Sequence, residues 1–187
     1  MYKMLTIGFS AGGIPLVQQI LAALPANYPL AVVLVAHLPP GESVLAELLD
    51  TTAALPVKLA TDKAPIRPGT VLLAPPDYHL LVENRERFAL SVDAPVMAVR
   101  PSIDVLFESA AEVFEDALIA VTLSGANSDG ARGMARVHAL GGMTIALSPL
   151  KTEFLALPEA VVNTVEVDYI ASMEEIVALL LSVEERR

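Results

Sequence analysis

Four short runs rich in apolar and β-branched residues punctuate the chain at 4–9 (MLTIGF), 31–37 (AVVLVAH), 117–124 (ALIAVTLS) and 143–148 (MTIALS). Continuous runs of this length suit strands covered on both faces, so they predict buried parallel strands. Between them apolar positions recur at helical spacing over 15–24, 43–50, 102–114 and 131–140. A strand at 165–170 and a helix over 172–181 complete the pattern. Strand–helix alternation implies right-handed crossovers, hence an α/β fold: a doubly wound, mainly parallel sheet with helices on both faces. Residues 56–99 break the alternation with short runs (PVKLAT, GTVLLAPP, YHLLVEN, RFALSV) separated by Pro and Gly. Such punctuation predicts an antiparallel hairpin excursion there.

Composition narrows the class. The 187 residues are 54% hydrophobic and 18% charged, which fits a single domain spanning 1–187 with a sizeable core. The formal net charge of -10 argues against nucleic acid and against an anionic membrane surface. The absence of cysteine excludes disulfides, thiolate zinc sites and a Cys nucleophile. The N-terminus is too short in its apolar run for a signal peptide, and no run is long enough to span a membrane. A soluble cytoplasmic domain without membrane insertion is the expectation.

The segment TIGFSAGGIP, 6–15, carries the first chemical signal. It is no phosphate loop: Gly8, Gly12 and Gly13 do not form G-x-G-x-x-G, no G-x-x-x-x-G-K-[ST] exists, and no acidic ribose ligand follows. Ser10 as a plain helix cap is one reading. The other is a nucleophile elbow, since the segment matches G-x-S-x-G, whose small neighbours permit a tight strand-to-helix turn and expose the hydroxyl. A serine nucleophile needs a base, and there are three histidines. His37 ends the second strand run and therefore shares the carboxyl edge with Ser10, where open α/β sheets gather their chemistry. His138 lies within a helical period and reads as helix packing. His79, in the hairpin region, lines the site or serves only a hairpin pair. Asp129, in LSGANSDGARGM, follows the third strand run at the same edge. It reads either as an N-cap or as the acid that orients the His37 imidazole in a Ser–His–Asp triad.

Together IGFSAGG, VAHLPPG, IRPGTVLLAPPDYHL, RPSIDVLFESAA and LSGANSDGARGM resemble the catalytic domain of the chemotaxis protein-glutamate methylesterase family, CheB, from the first strand to about residue 158. The resemblance implies a doubly wound sheet with an antiparallel hairpin and a serine hydrolase that acts on glutamyl methyl esters and deamidates certain glutamines of chemoreceptors. Motif by motif, its triad falls on Ser10, His37 and Asp129. Its substrate would be a methyl-accepting chemoreceptor's cytoplasmic helix or another protein. No cofactor and no metal enters this reading. A receiver domain ahead of the first strand is not expected, so this is either an excised or stand-alone catalytic domain or one that a separate partner regulates. The chain departs from the family pattern at Ala11, Ala36, Ala126 and Asn127, and carries Met97, Ala98 and Val99 where polar and basic residues are usual. Amides of Ala11 and Gly12, or of Ala126, are the oxyanion-hole candidates. Arg100 is a candidate substrate contact, or else the partner of a structural carboxylate such as Asp104, and His79 is a second candidate contact. The alternatives are an ester or amide hydrolase outside chemotaxis, and a weakly catalytic module that holds a partner in the same cleft.

Overall fold

The computed structural model describes residues 1–37 and 44–183. Its elements run β1 (Met4–Phe9), α1 (Ile14–Ala23), β2 (Ala31–Ala36), α2 (Val44–Asp50), β3 (Val57–Leu59), β4 (Val71–Leu73), β5 (His79–Val82) and β6 (Phe88–Ser91). They continue with α3 (Ile103–Phe114), β7 (Leu118–Thr122), α4 (Ala131–Ala139), β8 (Met143–Leu147), α5 (Ala156–Thr164), β9 (Tyr169–Ala171) and α6 (Met173–Ser182). Among the described residues seven strands pair in the order β3-β4-β2-β1-β7-β8-β9, every neighbouring pair parallel. The chain winds from β1 outward in one direction, returns, and winds outward in the other, so the strand order switches between β1 and β7.

The strands are apolar throughout because each face is covered. Leu5, Ile7 and Phe9 of β1 join a core with Val17, Ile20 and Leu21 of α1, Leu49 of α2 and Ile176 and Leu180 of α6. Residues of opposite parity, such as Met4, Val33 and Val35, meet α3, α4 and α5 through Ile103, Phe107, Met134 and Leu157. Period-two alternation thus sends each strand's side chains into two separate cores.

The expected doubly wound sheet is present, and the hairpin expectation needs trimming. β3 and β4 are parallel and extend the main sheet, because the stretch 60–70 carries the chain back to its starting edge. Among the described strands only β5 and β6 pair antiparallel, and they make a sheet of their own. It packs on α3, where the Val82 amide donates to Ser109 Oγ at 3.0 Å. The expected last strand is shorter and later, at β9, and α5 precedes it without having been anticipated. Its Pro158 lies in the first turn, where the missing N–H costs no helical bond. His138 is exposed on α4 rather than packed. The expected helix start at residue 43 and the LPPG of the second strand motif, 38–41, lie outside the described residues.

α3 and α4 touch closely enough that a side chain between them would not fit. A Cβ at Gly133 would lie 2.7 Å from Phe107 Cβ and 3.1 Å from Asp104 Cα. Gly8 of β1 plays the same part beneath α3, since a Cβ there would lie 2.4 Å from Ile103 Cγ2. These approaches bring the α3 N-terminus against both the first strand and α4. Gly133→Ala is expected to lose about 1–3 kcal/mol of stability through overpacking, read from urea midpoints, despite alanine's better helix propensity.

Candidate active site

Strand register sets the first two groups side by side. β1 and β2 pair Phe9 with Ala36, and the His37 amide donates to the Phe9 carbonyl at 3.2 Å. Ser10 and His37 therefore leave the sheet next to each other, on strands roughly 4.8 Å apart. Phe9 and Ala36 both face the α1 core, so the residues after them turn toward the α3 face. The Ser10 amide donates to the Ser124 carbonyl at 2.9 Å, which ties this turn to the end of β7 as well.

Asp129, in the loop after β7, is fully buried. Its Oδ2 accepts from His37 Nε2 at 2.6 Å and from the Ile103 amide at 2.6 Å. Its Oδ1 accepts from Ser102 Oγ at 2.7 Å and from the Asp104 amide at 3.2 Å. Ile103 and Asp104 are the first residues of α3, so Asp129 takes two N–H groups that lack an intrahelical partner and sits at the positive end of that helix. Burial pushes its carboxyl up, but the hydrogen bonds from His37, Ser102 and Ile103 outweigh burial and hold it below the ordinary aspartate range. It is not the N-cap of the helix that follows it; its carboxylate instead caps the start of α3 from outside, beside that helix's own N-cap Ser102.

An ionised carboxylate only accepts, so His37 Nε2 carries the proton it donates. In the neutral ring the lone pair then resides on Nδ1. That atom is buried and has no hydrogen-bond partner among the described residues. Ser10 is half-buried, and its hydroxyl makes no hydrogen bond among the described residues. The histidine–aspartate contact is therefore closed and the serine–histidine contact is not.

The remaining candidates divide. His79 is 2% exposed, and its ring is engaged at both nitrogens: Nδ1 accepts from the Ser102 amide at 3.2 Å and Nε2 donates to the Ala94 carbonyl at 3.1 Å. No nitrogen is left for a substrate, and the residue instead props Ser102 from behind. Arg100 Nη1 donates to the carbonyls of Val92 and Asp93 at 2.8 and 2.9 Å, so it fastens its own loop and does not pair with Asp104. Asp104 accepts from Gly130 and Gly133 amides and lies near Arg132. The amides of Ala11, Gly12 and Ala126 donate to no protein acceptor among the described residues. Ala126 is exposed at the mouth. Sequence reasoning missed Ser102, and its position at the head of an apolar helical period was the signal that could have found it.

The rim is apolar. Met97 is 54% exposed, and its sulfur accepts from Ser128 Oγ beside Asp129. It stands with Ala98 on a tight turn in which both have positive φ, 49° and 65°, closed by Val96–Val99 hydrogen bonds. Phe154, 41% exposed, lies against the turn after Ser10, where a Cβ at Gly12 would be 2.6 Å from its ring, and its carbonyl accepts from the Gly125 amide. Among the described residues no three His, Cys, Asp or Glu side chains gather as metal ligands.

A parallel sheet with a serine, a histidine and a buried aspartate at its switch point has the layout of the α/β serine hydrolases. Comparison with known proteins narrows it. The family model described as CheB methylesterase matches residues 5–180, and the chain belongs to that family. A Leptospira interrogans (serogroup Icterohaemorrhagiae) protein named as a candidate protein-glutamate methylesterase/protein-glutamine glutaminase is 39% identical over 185 residues, covering 98% of this chain and 96% of that one. A Symbiobacterium thermophilum protein bearing the name protein-glutamate methylesterase/protein-glutamine glutaminase is 42% identical over 162 residues, which are 86% of this chain and 45% of that protein. The crystal structure of the Thermotoga maritima CheB methylesterase catalytic domain superposes with a TM-score of 0.92 at 34% identity, covering 98% of this chain and 99% of that one.

Because Asp129 is held below its ordinary value, the stability it contributes is present above the unfolded carboxylate value and disappears as pH falls through the folded one. Asp129→Asn is expected to cost roughly 1–3 kcal/mol at neutral pH, and that difference should shrink toward zero below about pH 4. Urea melts of both proteins between acid and neutral pH measure it. A difference that stays constant across the range contradicts the assignment.

Proposed function

We propose that this chain is a protein-glutamate methylesterase that hydrolyses glutamyl methyl esters, and deamidates glutamines, on the cytoplasmic helices of chemoreceptors, with Ser10 as nucleophile. The observation that carries the reading is the orientation of His37. Its Nε2–H is committed to Asp129, its Nδ1 is buried with no hydrogen-bond partner among the described residues, and strand register sets Ser10 beside it at the adjoining strand end. The names of the relatives supply the substrate class.

The chemistry follows from these atoms. The first step requires a rotation about the Ser10 Cα–Cβ bond that brings Oγ–H to Nδ1. As Oγ attacks the ester carbonyl carbon, Nδ1 takes the proton, and Asp129 stabilises the imidazolium through Nε2. The oxyanion is met by the free amides of the Ser10 turn or of Ala126, worth about 3–4 kcal/mol for one donor. Nδ1–H then protonates the departing methoxide, methanol leaves, and the glutamyl group is esterified to Ser10. A water molecule that gives its proton to Nδ1 attacks this acyl-enzyme, releasing the glutamate carboxylate and restoring Ser10. A glutamine substrate loses ammonia in place of methanol. Among the described residues no helix is long and apolar enough to cross a membrane, which fits an enzyme that meets its substrate from the aqueous side.

Methanol release from methylated receptor membranes tests the reading. Ser10→Ala and His37→Ala are each expected to remove nearly all turnover, with the double variant scarcely worse, because members of such a unit do not act additively. Methanol release that persists in Ser10→Ala overturns it. Within the same assay Ala126→Pro, which deletes one amide donor, is expected to lower kcat by about a hundredfold if that amide meets the oxyanion. A well-folded Ala126→Pro protein with full turnover moves the oxyanion hole to Ala11 and Gly12.

A further inference from the structure

The two buried carboxylates at the α3–α4 junction exchange roles. Asp129, just before α4, accepts from the Ile103 and Asp104 amides at the start of α3. Asp104, in the first turn of α3, accepts with Oδ1 from the Gly130 amide at 2.9 Å and the Gly133 amide at 2.7 Å, at the start of α4. Each helix is thus capped by an aspartate belonging to the other. The arrangement answers a local deficiency, because Gly130 occupies the α4 N-cap position and has no side chain with which to cap. Asp104 is 3% exposed, and its nearest cation, Arg132, lies 3.8 Å away and is itself mostly solvated and bonded to Glu108.

From this geometry we infer that Asp104 is a positioning residue for the hydrolase: by holding the first turn of α4 against the first turn of α3, it fixes where the Asp129 carboxylate meets His37. The inference rests on the triad reading for its effect on turnover, although its geometric half stands apart from it. Asp129 is joined to Gly130 by a peptide bond, so its backbone cannot drift while Gly130 and Gly133 are tethered to Asp104. Without the tether, α4 keeps its apolar contacts but loses the hydrogen bonds that set its register against α3. A displacement on the order of 1 Å at a catalytic group can cost about a hundredfold in rate. Asp104 works through where its acceptor atom lies. Its negative charge is not what the arrangement uses: Asp129 bears a like charge close by, and that repulsion, after burial, pushes the Asp104 carboxyl up.

Two substitutions separate position from charge. Asp104→Asn keeps an acceptor oxygen at the same reach and removes the charge. Asp104→Glu keeps the charge but is one methylene too long to meet both glycine amides. Two readouts are taken on each folded protein: kcat and KM for methanol release, and the His37 Nε2–H proton resonance in histidine-labelled protein, which the 2.6 Å bond to Asp129 should move far downfield. Asp104→Asn is expected to keep the resonance and most of kcat. Asp104→Glu is expected to lose the resonance and lower kcat by roughly ten- to a hundredfold with KM unchanged. The opposite ranking, or equal effects on both readouts, overturns the inference. If the unsubstituted protein releases no methanol, the methylesterase reading fails while the resonance still decides the role of Asp104. Should Asp104→Glu not fold, Asp104→Ser, whose hydroxyl is too short to span both amides, takes its place with the same expected loss.

Discussion

A single carboxylate is shared between folding and chemistry. Asp129 is fully buried, and an unpaired ion in that position would cost several kcal/mol. It is satisfied only because four donors converge on it from two sources: Ser102 Oγ and two amides at the head of α3, and the His37 ring at the end of β2. Each source depends on the other being correctly placed. The strand that delivers the histidine and the helix that delivers the amides are far apart in sequence, and the aspartate lies beyond both. Only a fold that closes all three segments on one point leaves no buried charge unanswered, so correct assembly of the site is itself a condition of stability.

The rest of the architecture serves that convergence. Parallel register carries Ser10 and His37 to adjacent strand ends. The small residues Gly8 and Gly133 let the head of α3 press against β1 and α4. Behind the aspartate lies a further layer, in which His79 accepts from the Ser102 amide while donating to Ala94, so the hairpin sheet is linked to the same point. The buried histidine that looked like a substrate contact is thus part of the scaffold. It holds Ser102, Ser102 holds Asp129, and Asp129 holds His37. Preorganisation of this kind lowers the reorganisation needed when charge develops at the reacting centre.

Around this geometry the described rim carries exposed apolar groups. Met97, Ala98 and Val99 occupy a loop where the family resemblance led us to expect polar and basic residues, and two of them adopt positive φ without being glycine. Backbone held in that region costs energy and persists where surroundings impose it. Here the Val96–Val99 bonds and the two Arg100 contacts to Val92 and Asp93 impose it. Arg100 uses its Nη1 in doing so, and the Met97 thioether and the Phe154 ring are exposed.

By itself the sequence determined the layers and the chemistry-bearing edge. Continuous apolar runs mean strands covered on both faces, helical spacing between them means crossovers, and the carboxyl ends of the strands then had to collect Ser10, His37 and Asp129. These are properties of local pattern and chain direction. What only the tertiary structure decided is which atoms meet. That β3 and β4 run parallel at the sheet edge, that α5 tolerates its proline, that His79 and Arg100 face inward to carbonyls and amides, and that two helices cap one another through Asp104 and Asp129 all depend on partners many residues away. A side chain's intrinsic chemistry lists what it can bond to, whereas the choice among those partners is made by which backbone groups are left unsatisfied when the layers close.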